Sequence, residues 1–406
     1  MKMHFYQTGL IGAGLLFLGS GRAADWPQFR GPHGNGVVEE SGLPAKLKDA
    51  NIHWASDLPG RGLSSPIVIG DRVFVTCSSG PKQERLHVIC FNAADGSKRW
   101  ERQFWATGRT MCHEKTCVAA PSPASDGRRI FAIFSSNDLV CLDLDGNLLW
   151  LRGLTRDYPN ASNSLGMSSS LAVTDNVLIA MLENDSESFT AGLDVRSGTN
   201  LWKLARPKMA NWTSPVVLKS AGAGQPTVVA LQSSKGIAAI EPASGRIVWE
   251  YTDGASTIPS ATSSGGVLYV PSHGVTALQP GPDGQSPKQL WRSGQLRPST
   301  SSPLVLEDRL FTLNDAGVLT CGSAADGNRL WQLRLKGPFS STPVASGNLI
   351  FCVNEKGLLQ VVDTSAPEGV LASELDLGKT VLSTPSIAGG ALYVRSDEKL
   401  WKLGKS

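Results

Sequence analysis

Residues 108–123 read GRTMCHEKTCVAAPSP, and in that stretch Cys112 and Cys117 bracket His113, Glu114 and Lys115. Such a set could ligate a metal, cycle as a redox pair, clip a loop with a disulfide, or line a cofactor pocket. A closed zinc site needs four ligands, and no second cysteine–histidine cluster stands elsewhere to complete this one. A redox pair usually takes C-x-x-C spacing at a helix start, which is absent. No metal centre is therefore expected. In an oxidising compartment two close cysteines on one loop form a disulfide by default. A Cys112–Cys117 bridge would close a short ring, stiffen a long loop, and present His113, Glu114 and Lys115 on a rigid mount. Cys77, Cys90, Cys141, Cys321 and Cys352 sit in or beside strand patterns and read as small buried apolar side chains. Cys77 and Cys90, on neighbouring strands, are near enough in the pattern to pair.

The compartment follows from the N-terminus. MKMHFYQTGLIGAGLLFLGSGRAADW has Lys2 and His4 ahead of a short apolar run, then Gly21 and Ala23 at the −3 and −1 positions of a cleavage after Ala23. Residues 1–23 thus read as a signal peptide, and the run is shorter than the roughly 20 residues a membrane span needs. No cysteine stands at the cleavage point for lipid attachment. A periplasmic or secreted, monomeric chain without a transmembrane segment is expected. Lys and Arg are scattered and the net charge is only +3, so the basic patch of a nucleic-acid binder is missing.

What positions the cysteine loop is a repeat. DGSKRW, DGNLLW, SGTNLW, SGRIVW and DGNRLW each place a tryptophan four residues after a glycine. A looser copy ends at Trp291, a degenerate copy has Ser373 in the tryptophan slot, and Trp54 precedes them all. The slots at Trp54, Trp100, Trp150, Trp202, Trp249, Trp291, Trp331 and Ser373 recur every 40–50 residues, the period of propeller blades. A second element, out of phase, is SSP (64–66), PSP (121–123), SSS (168–170), TSP (213–215), PSA (259–261), SSP (301–303), STP (341–343) and STP (383–385). Two alternating, Val/Ile/Leu/Phe-rich runs lie between them. Each repeat is then four short strands, in an all-β chain of eight blades. The last repeat stops after three strands, so the segment NIHWASDL completes it and closes the ring, removing exposed edges. Two stacked sandwiches would have no use for so regular a spacing. The division expected is a signal peptide (1–23), a Gly/Pro-rich arm against the rim (24–49) and the propeller (50–406). The repeated tryptophans read as inter-blade packing.

Strand direction sorts the loops. Asp-Gly and Ser-Gly turns share one end of the ring. The loops between second and third strands share the other with the blade-to-blade crossovers, and there Asn137, Asp138, Asn184, Asp185, Lys235, His273, Asn314, Asp315 and Asn354 converge with His113, Glu114 and Lys115. Polar turn residues suit any hairpin. The two longest crossovers also lie at this end, however, and binding sites favour loops on a rigid scaffold. This polar face is the expected ligand or partner surface.

The strand, turn glycine and tryptophan four residues later resemble the tryptophan-docking motif of pyrroloquinoline-quinone (PQQ) repeat propellers. DWPQFRGPHGNG (25–36) is similar to the start of secreted bacterial members. The resemblance spans residues 25–406 and implies an eight-bladed propeller of the quinoprotein alcohol dehydrogenase-like superfamily. It also implies two kinds of activity. One is a BamB-like scaffold gripping envelope proteins, although BamB-type proteins are lipoproteins and this chain shows no cysteine for lipidation. The other is a PQQ-dependent dehydrogenase of alcohols or sugars, with calcium polarising the quinone and a carboxylate such as Asp138, Asp185 or Asp315 taking the proton. Against the second, the chain has no adjacent cysteine pair and is shorter than methanol-dehydrogenase-like enzymes, and none of its stretches matches their metal or base motifs. The reading is an exported binding or assembly module holding an envelope protein or small ligand. PQQ with calcium remains the alternative cofactor.

Overall fold

The computed structural model describes residues 1, 25–39, 42–218, 227–281 and 285–405. The segment read as a signal peptide, Met1 apart, lies outside the described residues. The rest is a ring of eight antiparallel blades, one of them a five-stranded sheet and seven of them four-stranded. The first blade is Ile67–Ile69, Arg72–Ser79, Arg85–Asn92 and Lys98–Trp105. The eighth joins Ser386–Ala388, Ala391–Arg395 and Lys399–Gly404 to Ile52–Asp57 from the other end of the chain. The ring closes as the repeat requires.

One irregularity recurs in every blade and explains the motif. The outermost strand carries an extra residue immediately before the tryptophan slot, so that Trp100 faces Cys90 while Lys98 faces Phe91. The same slip occurs at the slots of Trp54, Trp150, Trp202, Trp249, Trp291, Trp331 and Ser373. Such a bulge bends and twists the strand locally. Here it aims the indole at the next blade and in several blades turns the preceding side chain outward: Leu149, Leu201 and Leu330 are about half exposed, while Val248 stays buried.

The indole lands on the turn glycine of the following blade. A Cβ on Gly96 would come within 2.6 Å of the Trp54 ring, and Gly96 has φ +73. Both the space and the backbone angle therefore demand glycine. The Trp54 Nε1–H donates to the Ala93 carbonyl at 3.2 Å. Trp100, Trp150 and Trp202 repeat the pair of contacts with Gly146, Gly198 and Gly245. Trp291 does so with Gly327, and Trp331 stacks on Gly369. Trp249 is buried in a cluster with Val270 and Leu278 of the next blade. At the degenerate slot, Ser373 binds the incoming chain instead, accepting from Leu47 N–H and donating to the Ala45 carbonyl.

The N-terminal arm does not lie against the polar rim. It crosses the axis at the opposite, turn-bearing end. Trp26 bridges Val68 of blade 1 and is fully buried. Pro27 accepts from Ser125 of blade 2, Arg30 reaches Ala261 and Thr262 of blade 5, and Val37–Val38 adds a parallel fifth strand to blade 7. Its glycines and prolines permit a path that must turn repeatedly across a narrow channel. It plugs that channel.

Candidate functional site

Where the innermost strands begin, the second repeat element builds a girdle. The N–H of Ser65 donates to Ser122 Oγ at 2.8 Å, and Ser122 N–H to Ser170 Oγ at 3.0 Å. The chain of bonds continues from Ser170 to Ser214, Ser260, Ser302, Thr342 and Thr384, each link 2.9–3.1 Å. Seven head-to-tail bonds thus tie neighbouring blades around the axis. From blade 2 onward the middle residue of each SSP-like copy supplies the hydroxyl, except in blade 3, where Ser170 shows the copy to be 169–171 and not 168–170. The signal was present in the sequence as a hydroxyl at one fixed position, but strand patterning alone gave it no role.

Above the girdle a funnel of about 460 Å³ opens to the crossover face. Phe29 of the plugging arm forms its floor, and Leu63, Leu165, Trp212, Ile258 and Leu382 make its wall apolar. His113, Lys115 and Thr116 line it from the long crossover. That crossover is strapped over the mouth. Lys115 Nζ reaches Glu355 of blade 7 at 3.0 Å, with Ser340 Oγ on the same carboxylate at 2.7 Å. His113 N–H bonds the Leu165 carbonyl at 3.0 Å, and Trp212 Nε1–H bonds Gly166 at 3.0 Å. The two longest crossovers are therefore joined.

The cysteines of that loop are free thiols, not the disulfide the spacing suggests. Cys117 is fully buried in the apolar layer with Val118 and Ala119. Burial pushes its thiol well above the usual range. Cys112 is half-buried, with its sulfur near the Thr110 carbonyl and Ser135 hydroxyl. Burial raises its pKa too. Cys77 and Cys90 are also unpaired. Cys77 faces His87 and Cys90 faces Phe74 across the same ladder, which puts their side chains on opposite faces of the sheet. Cys141, Cys321 and Cys352 are buried as expected.

Of the polar-face residues, only His113 and Lys115 line the funnel. Glu114 is exposed, and its carbonyl accepts from Arg61. Asp138 is buried and accepts from Thr107 and Ser136. Asn184 and Asn314 hold their own loops by side-chain bonds to backbone, and Asn137 and Asn354 donate to the Ala161 and Lys336 carbonyls of neighbouring crossovers. Asp185 and Asp315 are exposed, accepting from Ala210 N–H and the Ser299 hydroxyl. Lys235 and His273 are exposed. Glu183, one residue ahead of Asn184, escaped the sequence reading because an acid in a polar loop looks solvated. It is buried against Arg206 at 2.6 Å and Asn211 at 2.8 Å. Desolvation raises its pKa while Arg206 opposes the shift.

A calcium-bound quinone and a carboxylate base would need acidic oxygens in the funnel. None of its lining residues is Asp or Glu. Among the described residues, no three His, Cys, Asp or Glu side chains converge on a metal position. The donor set does not fit that group.

The comparisons with known proteins agree on the architecture. The family model described as outer membrane protein assembly factor BamB matches residues 37–180, 161–264 and 272–372. BamB from Moraxella catarrhalis superposes with TM-score 0.61 at 17% identity, covering 87% of this chain and 97% of that one. A quinohemoprotein alcohol dehydrogenase from Comamonas testosteroni gives TM-score 0.71 at 13% identity over 96% and 82% of the two chains. A polyvinylalcohol dehydrogenase of Sphingopyxis sp. (strain 113P3) is 26% identical over 174 residues, 39% of this chain and 24% of that protein. The chain spans about a quarter of the length of the curated relatives it matches. It belongs to the PQQ-repeat propeller family whose model is described as outer membrane protein assembly factor BamB.

Proposed function

We propose that the chain is an exported binding and assembly module that receives an envelope protein or a small ligand on its crossover face. The observation that carries this reading is the character of the funnel mouth. Met111, Leu165, Met209 and Ile258 are each about half exposed on the crossovers around it, and the wall beneath is apolar. Exposed apolar groups gathered at a concave site mark interaction surfaces, and methionine adapts to varied partners. The fold shared with BamB supports a scaffold role by analogy. The reading includes a periplasmic or secreted location.

The relatives named as dehydrogenases support a second reading, PQQ-dependent oxidation of alcohols. It demands a cation site and a base in the funnel, and the lining offers neither. One pair of experiments separates the two. A photo-crosslinker at Met111 or Met209 should capture a partner that one at Leu330, on the outer edge, does not. Equal yields from both places would sink the module reading. Saturable, calcium-dependent quenching of tryptophan fluorescence by PQQ, followed by dye-linked alcohol oxidation, would replace it with the enzyme.

A further inference from the structure

The girdle's hydroxyls are used on one side only. Each of the seven acceptors, from Ser122 to Thr384, takes its neighbour's N–H, yet none donates its own proton to a protein atom among the described residues. All are more than nine-tenths buried and line the funnel. Their partners one position earlier behave differently: Ser301, Ser341 and Ser383 donate to carbonyls and are satisfied. Thr116 Oγ1, buried on the funnel wall, has no partner at all. Buried hydroxyls without an acceptor are costly. Here their donors line one small space.

A charge lies below them. Arg30 is 2% exposed, and its guanidinium donates to Thr262 Oγ1 and the Ala261 carbonyl, both at 2.6 Å. These two residues directly follow Ser260 of the girdle. Arg30 Nε has no partner, and no described carboxylate pairs with this side chain. A buried cation facing only neutral groups is expensive unless an anion compensates it. At the mouth, Lys115 is already paired with Glu355, so Arg30 is the cation left without a carboxylate, and none of the lining residues is Asp or Glu.

We propose that the funnel floor receives the carboxylate of a ligand with an apolar body. This rests on the crossover face being a binding site and names the chemistry that site takes. Two carboxylate oxygens accept from girdle hydroxyls in place of water, over the positive potential of Arg30. One buried guanidinium matches one negative charge, which favours a monocarboxylate over a dianionic phosphate. Leu63, Leu165, Trp212, Ile258 and Leu382 cover the body. The carboxylate could belong to a free alkyl or aryl acid or to the C-terminus of an apolar peptide.

The test uses the mature protein and isosteric pairs, with calorimetry and the fluorescence of Trp212 as readouts. The probes are 3-phenylpropionate against 3-phenylpropionamide, and acetyl-Leu-Phe against its C-terminal amide. Each acid is expected to bind at least tenfold tighter than its amide. The preference should shrink severalfold in Arg30→Gln and in Thr342→Val/Thr384→Val. Because the wild-type pair already decides, a variant that fails to fold does not spoil the result. A tighter peptide acid supports a chain end as the source, and a tighter phenylpropionate supports a free acid. Acid and amide binding within twofold overturns the carboxylate site while leaving the funnel a binding site. No saturation by any probe also overturns it, and crosslinking at the rim still tests the module by itself.

Discussion

Lys115, on the crossover between the first two blades, holds Glu355 of the seventh blade at 3.0 Å. The pair straps the cysteine loop across the funnel mouth, and Ser340 fixes the carboxylate from below. Half of the lysine side chain is exposed, so the pair contributes about 1 kcal/mol or less to stability. Its effect should be local. Glu355→Gln is expected to leave the denaturation midpoint almost unchanged while amides 112–118 exchange several times faster with solvent. A variant that melts early without local loosening would show that the contact supports the ring and not the strap.

The girdle makes a different prediction. Ser214→Ala removes the acceptor of the buried Ser170 N–H and leaves that donor unpaired. The expected cost is about 1–3 kcal/mol, read as a shift in urea midpoint. Thr342→Val keeps the shape but strands Ser302 N–H, so it should cost a similar amount despite conserving volume. A neutral Thr342→Val would mean water readily replaces the hydroxyl.

The blade count, ring closure and tryptophan contacts were legible in the sequence because each is written as a repeated local pattern. A glycine four residues before a tryptophan has one geometric use, and it appears often enough to average out noise. The girdle was visible only as a hydroxyl-rich repeat, since its bonds join residues about 40–50 positions apart. The path of the arm was not legible at all. Nothing in the local sequence around Arg30 states that it will meet Thr262, 232 positions away. Several of the residues named from loop chemistry turned inward to hold backbone, as Asp138 does in accepting from Thr107 N–H, while Asp185 and Asp315 stay exposed. Cys117 was misread for a related reason. Spacing suggests a pair, but burial beside Val118 follows from the blade packing.

Ring closure rests on Trp54, which comes from the N-terminal side of the chain, on Ile52–Asp57, but packs between the last blade and the first. Trp54→Ala should cost about 3–5 kcal/mol, typical of a buried tryptophan. Gly96→Ala should reproduce much of that loss, because its Cβ would meet the Trp54 ring at 2.6 Å and φ is +73. Matching urea midpoints for the two variants, with near additivity lost in the double variant, would confirm a single contact. Full additivity would place their effects apart.

The buried thiols predict how stability depends on pH. Burial pushes Cys90, Cys141 and Cys352 up to about 12 and Cys321 to about 11, from the ordinary value of 9. Above pH 9 an unfolded chain releases these protons while the folded one keeps them. Stability is thus fully present below pH 9 and falls as pH rises toward the folded values, by up to about 1.4 kcal/mol per unit for each thiol. Urea midpoints measured from pH 8 to 10.5 should hold to about pH 9 and then drop. Cys352→Ala should flatten the slope by about one thiol's share even though it starts lower. An unchanged slope would mean that Cys352 ionises in the folded protein, which its complete burial between Phe351 and Val353 opposes.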